Sequence, residues 1–125
     1  MTRWIAVRSR NLAAALLAAP LLLLGCHSYH IDTTIENRTG SSIQLLEVDY
    51  PSASFGADSL AAGAAFHYRF QVRGSGPLTI SYTASAGHQV HITGPGLSER
   101  EQGQLHIVLL PGAKADFEPL TPSNR

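Results

Sequence analysis

Eight consecutive residues, Phe66 to Arg73, alternate strictly between apolar and polar side chains. Phe66, Tyr68, Phe70 and Val72 fall on one face, and His67, Arg69, Gln71 and Arg73 on the other. A period of two is the signature of a half-buried β-strand, which the pattern places over residues 64–73. Burying the four apolar side chains contributes roughly 1.5–3 kcal/mol each. A slip of one residue would bury two arginines in their place, so the register is firmly set.

The same grammar of short alternating runs, broken by Gly, Pro, Asn and Ser, extends over the rest of the body. Ile31, Thr33 and Ile35 alternate with Asp32, Thr34 and Glu36, and Asn37-Arg38-Thr39-Gly40 makes a turn. Leu46, Val48 and Tyr50 then oppose Glu47 and Asp49, so residues 31–36 and 43–50 read as a hairpin. Residues 51–63 are mostly small and read as a connector between two sheets, with Phe55 and Leu60 tucked beneath it. Within it, Asp58-Ser59 could start one helical turn that Gly63 would end.

After the strand at 64–73, Gly74-Ser75-Gly76-Pro77 forms a tight turn. Leu78, Ile80 and Tyr82 mark a strand that pairs with the one led by Val90 and Ile92, which Gly94-Pro95-Gly96 stops. Residues 105–110 are almost continuously apolar apart from His106, as suits a central strand. Pro111-Gly112 turns the chain into residues 113–118, with Ala115 and Phe117 facing inward, and residues 119–125 form a flexible tail. The expected fold is therefore all-β: an antiparallel, immunoglobulin-like β-sandwich of about seven strands spanning residues 31–118. A small β-barrel is the alternative, because alternation does not distinguish closure from sandwiching.

The N-terminus follows different rules. Arg3, Arg8 and Arg10 form a positive segment, and Leu12 to Leu24 are thirteen residues of Leu, Ala and Pro only. That run matches a signal-peptide core and is too short to span a bilayer, and Pro20 weakens it further as a helix. It ends in Leu23-Leu24-Gly25-Cys26, which holds the only cysteine of the chain. This segment resembles the lipobox of bacterial lipoprotein precursors. The resemblance implies that residues 1–25 are a signal peptide cut by signal peptidase II, which reads Leu23, Leu24 and Gly25. It further implies that Cys26 carries a covalent diacylglyceryl group and that residues 26–30 form an anchor and short tether. His27, where inner-membrane lipoproteins of enterobacteria carry Asp, points by the same analogy to the outer membrane, facing the periplasm. The body resembles the small lipoproteins of Gram-negative envelopes, a likeness that brings no site with it.

Removal of residues 1–25 leaves 100 residues, enough for one domain with one core. Three of nine basic residues leave with the signal, so six remain against nine acidic ones, a formal charge of −3. No basic run exists, and nucleic acid is not an expected partner. With Cys26 consumed by lipid no disulfide can form, and stability must come from packing.

The candidate site residues are few. His67, Arg69 and Arg73 form the best-defined polar stripe and suit an acidic protein partner or an anionic glycan. Tyr50, Pro51 and Phe55, on the long connector, are a second candidate surface. His88 and His91 point to opposite faces of one strand, whereas His67 and His91 could meet if their strands are neighbours. Glu47 and Asp49 place two carboxylates on one strand face, but no serine lies in a nucleophile elbow. No metal, cofactor or catalytic activity is expected. The leading reading is a lipid-anchored envelope protein presenting a β-sandwich for protein–protein interaction or scaffolding. A module binding a metal ion or an envelope glycan is the alternative.

Overall fold

The computed structural model describes residues 29–121, with side chains as far as Glu118. Cys26 and the lipobox residues Leu23, Leu24 and Gly25 lie outside the described residues, as does the end of the tail. Eight strands make up the fold: β1 (Ile31–Asn37), β2 (Ile43–Tyr50), β3 (Ala53–Leu60), β4 (Ala65–Phe70), β5 (Gly76–Thr83), β6 (Gln89–Leu97), β7 (Gly103–Leu110) and β8 (Lys114–Thr121). They form two four-stranded sheets, in the order β4-β1-β7-β8 (sheet 1) and β3-β2-β5-β6 (sheet 2). Among the described residues each sheet keeps two open edges, so the fold is a β-sandwich and not a closed barrel. Among the described residues there is no helix. All pairings are antiparallel except that of β1 with β7, which is parallel from Ile31↔Gly103 to Asn37↔Leu109.

The inner faces of the two sheets meet in a single core. Ile31, Ile35, Leu105, Ile107 and Leu109 come from sheet 1, and Ile43, Val48, Leu78, Ile80 and Tyr82 from sheet 2. All of these lie within residues 31–109. Strand β7 is central, as its apolar run requires, and even its outward Val108 is 9% exposed.

Several sequence expectations are corrected. Strands β1 and β2 are not a hairpin: they lie in different sheets, and residues 38–42 cross between them. Residues 53–60 are no connector but an eighth strand paired with β2, although Phe55 and Leu60 are buried as expected. No helical turn begins at Asp58. The segment after β4 is likewise a crossing to sheet 2 and not a tight turn. Strand β6 runs through Gly94-Pro95-Gly96 to Leu97. Gly94 is used there for close packing, since a Cβ would sit 2.7 Å from Phe117 Cε1 on β8. Strand β8 continues to Thr121, three residues beyond the expected end of the domain.

Strand β2 also carries a bulge. Ile43 and Leu46 both face the core, and the pairing with β5 shifts between Gln44 and Glu47. Leu45 takes up the extra residue with a positive φ of 51° and is 65% exposed. The partner strand meets this bulge with Gly56, where any Cβ would collide with the Leu46 carbonyl oxygen.

Two buried polar side chains have opposite standing. Asn37, fully buried at the end of β1, donates through Nδ2 to the carbonyls of Ser41 (2.8 Å) and Leu60 (2.9 Å). Its Oδ1 accepts from the Thr39 N–H (3.1 Å) and the Thr39 hydroxyl (2.7 Å). Its backbone N–H donates to Ala64 O, and its carbonyl accepts from Gly63 N. Residue 37 thereby ties both neighbouring inter-sheet crossings, 38–42 and 61–64, to β1. Thr33, two per cent exposed in the middle of β1, has no hydrogen-bond partner for its hydroxyl among the described residues.

Replacing Asn37 by Ala leaves the Leu60 carbonyl only the long 3.5 Å bond from the Ser42 hydroxyl and should cost about 1–3 kcal/mol, read as a lower urea midpoint. Asn37→Asp should cost at least as much, because a carboxylate cannot donate to two carbonyls. By contrast Thr33→Val, which removes only the unpaired hydroxyl, should raise the midpoint, by about 1 kcal/mol in stability; a lower midpoint for Thr33→Val would show that the hydroxyl is satisfied.

Candidate functional site

The outward positions of β4, β1, β7 and β8 form a continuous polar face on sheet 1. Register puts Thr34 opposite both His67 and His106, and His106 opposite Glu118, so one row crosses the whole sheet. Each member is held by its neighbour. Thr34 Oγ1 lies 3.0 Å from His67 Nδ1, His106 Nε2 lies 3.0 Å from Glu36, and His106 Nδ1 lies 3.2 Å from Glu118. Arg38 reaches Glu36 at 3.3 Å from the strand end. In the next row Arg69 faces Asp32, with Nε 3.6 Å from the carboxylate, and its Nη2 donates to His30 Nδ1 at 3.2 Å. The face thus carries a lattice of cross-strand polar contacts, in which Arg38, Glu36, His106 and Glu118 alternate base and acid.

The predicted stripe is split by the end of β4. His67 and Arg69 sit on this face, exposed as expected. Arg73 does not, because the chain leaves the sheet after Phe70 and buries Val72 on the way to β5. The apolar side of the strand is also less uniform than its alternation suggests. Phe70 and Val72 are buried, Phe66 is half-buried, and Tyr68 is 42% exposed because β4 is an edge strand.

Tyr68 instead stacks on Phe55 across the gap between β3 and β4, with ring centroids 4.3 Å apart and 15° between planes. Tyr50 leans on Phe70 at 4.4 Å, and Phe55 lies 5.4 Å from Phe70. These rings close one side of the sandwich, so Tyr50 and Phe55 of the second candidate surface are mainly packing residues. Beside them runs an open groove of about 400 Å³, lined by His30, Tyr50, Ser52, Tyr68, Arg69 and Arg73 among others. Arg73 is positioned there by its backbone, whose N–H donates to Ser52 Oγ at 3.2 Å.

The outer face of sheet 2 is built of small hydroxyl residues. Ser81 Oγ lies 3.1 Å from His91 Nδ1, and Glu47 stands opposite Ser81 on the other flank. This order puts the acid beside the serine and not behind the histidine, so the row is not a relay that would activate a nucleophile. His67 and His91 lie on different sheets and do not meet. Among the described residues no three His, Cys, Asp or Glu side chains are grouped to hold a metal ion.

Alternation alone identified His67 and Arg69. It missed their partners Thr34 and Asp32, and the neighbouring Glu36–His106–Glu118 group, which come together only through the strand order. It also missed His30 and Ser52 in the groove. No family model and no curated protein matches the chain. In structure it is similar to the NMR structure of a protein from Eubacterium rectale, with a TM-score of 0.54 and 12% sequence identity. The likeness covers 79% of this chain and 97% of that one, and at this identity it shows the fold alone.

Burial raises the pKa of Tyr50, with the nearby Tyr68 phenol adding to the effect, and burial also raises that of Tyr82. The folded state therefore keeps these protons where the unfolded chain has released them. Stability is untouched below the ordinary tyrosine value of about 10 and falls as pH rises above it. Urea midpoints measured from about pH 9 to about pH 11 should decline, and the Tyr50→Phe/Tyr82→Phe variant should decline less; equal slopes would remove both tyrosines from the account.

Proposed function

We propose that this chain is a bacterial envelope lipoprotein, lipidated at Cys26 and held at the outer membrane, that presents a non-catalytic β-sandwich to a protein partner. The observation that carries the partner reading is the ordered acid–base lattice on sheet 1. Side chains already fixed by cross-strand pairs lose little conformational freedom on binding. Polar and charged groups in fixed positions select a partner by complementarity more than by area. Asp32–Arg69, Thr34–His67 and Glu36–His106–Glu118 would form the recognition surface.

The anchor reading rests on the lipobox and fits the way the chain enters the fold. Strand β1 starts at Ile31, five residues after Cys26, and His30 is already engaged by Arg69. Two or three acyl chains hold far more tightly than the marginal single chain. Within the sandwich class, the kinship to immunoglobulin-like domains rests on the two-sheet architecture. In the constant-type arrangement the first, second, fourth and fifth strands share a sheet, whereas here β1 and β4 share one sheet and β2 and β5 the other.

The Cys26→Ser variant should lose labelling by radioactive palmitate and move to the soluble fraction; continued membrane association would overturn the anchor. With lipidated protein as bait in native envelopes, the His67→Ala/Arg69→Ala variant should lose a partner that the wild type captures. Capture of the same proteins by both would take the interaction away from sheet 1.

A further inference from the structure

The groove beside β4 lies at the end of the sandwich where the chain enters. Ile31 pairs with Phe70 and with Gly103 at that end, and the groove is walled by His30, the residue just before β1. Cys26 precedes His30 by four residues. No conformation of those residues can separate the two by more than about 15 Å. Whatever surface holds Cys26 is therefore within reach of the groove.

Its chemistry suits one occupant. The nine lining residues include two arginines and two tyrosines and no acidic side chain. The Arg69 guanidinium is shared with Asp32 and His30, whereas the Arg73 guanidinium makes no ion pair or hydrogen bond among the described residues. Tyr50 and Tyr68 are fixed by their stacks on Phe70 and Phe55, which sets the position of their hydroxyls. A planar guanidinium fork matches phosphate oxygens bidentately. Tyrosine favours the interfacial depth at which lipid phosphates lie, with its ring in the apolar zone and its hydroxyl in water. The mature chain has a formal charge of −3, and the groove gathers two of its six basic residues.

We infer that the groove formed by His30, Tyr50, Ser52, Tyr68, Arg69 and Arg73 docks the phosphate of an anionic lipid headgroup in the membrane that holds Cys26. The inference rests on the anchor reading above and gives the tethered domain a preferred orientation. A short tether holds the groove at millimolar effective concentration of headgroups, so a weak site suffices. The lattice on sheet 1 then stands roughly perpendicular to the bilayer, open to partners.

The test uses residues 26–125 with Cys26→Ser, so that no acyl chain contributes, and co-sedimentation with vesicles at low salt. Vesicles containing phosphatidylglycerol should bind more protein than pure phosphatidylcholine vesicles. Arg73→Gln should weaken the binding about five-fold and Arg73→Glu about thirty-fold, the conversion of roughly one unit of surface attraction per charge. Both variants must keep the circular dichroism spectrum of the parent, and the milder one serves if the reversal does not fold. Equal binding to both vesicle types, or binding indifferent to Arg73, overturns the inference. So does a parent that ignores vesicles while inorganic phosphate shifts the amide resonances of Ser52 and Arg73, an outcome that would mark a site for free anion. Failure of palmitate labelling strikes the anchor alone, because the vesicle result needs no lipid on the protein.

Discussion

A chain that changes sheets between consecutive strands must leave its ladder at every change, and each change exposes backbone groups that the ladder had paired. Asn37 solves this for the first half of the molecule. One fully buried amide supplies both donors and acceptors for the crossing that follows it, and its own backbone secures the crossing 24 residues later. Because the 38–42 and 61–64 crossings are tied to one residue, β1 and the β2–β3 pair cannot shift relative to each other without breaking buried hydrogen bonds. The aromatic closure by Phe55, Tyr68 and Phe70 depends on that alignment, since its rings come from both sheets.

The two outer faces show how a sandwich without a disulfide divides its tasks. Sheet 2 turns small hydroxyls to water around β5, with little charge to organise. Sheet 1 turns out paired acids and bases. Exposed ion pairs of this kind add little stability individually. Their effect is to hold side chains in place on the surface, apart from the core. Stability comes instead from inward-facing branched aliphatics, whose close packing leaves Thr33 as the one orphaned hydroxyl among the described residues.

Much of this was legible locally. The faces of β4, β5 and β7, and the pairing of β5 with β6, follow from period and turn residues. What local pattern cannot convey is which sheet a strand joins. Asn37-Arg38-Thr39-Gly40 has the composition of a hairpin turn, yet it is a crossing, because residue preferences for positive φ are the same in both. Strand β3 was concealed by Ala, Ser and Gly, small residues that an edge strand tolerates and that look like linker. The bulge had left a trace: Ile43 and Leu46 are both apolar at a spacing of three, which strict alternation forbids. Gly94-Pro95-Gly96 misled for a different reason, since Gly94 answers to Phe117 across the sandwich. For the candidate site, His67 and Arg69 were visible on their own strand. Asp32, Glu36 and His106 were not, because their proximity is a property of strand order alone.

The parallel union of β1 with β7 has a temporal meaning. Both neighbours of β1 are distant in the chain: β4 begins 28 residues after β1 ends, and β7 another 33 residues after β4 ends. A polypeptide emerging N-terminus first, from a ribosome or a translocation channel, has its central strand from the start and nothing to set beside it. Sheet 1 stays open until Leu109 has emerged, so closure is a late and concerted event. Throughout that interval the backbone groups of β1 have no ladder partner and must be satisfied by water.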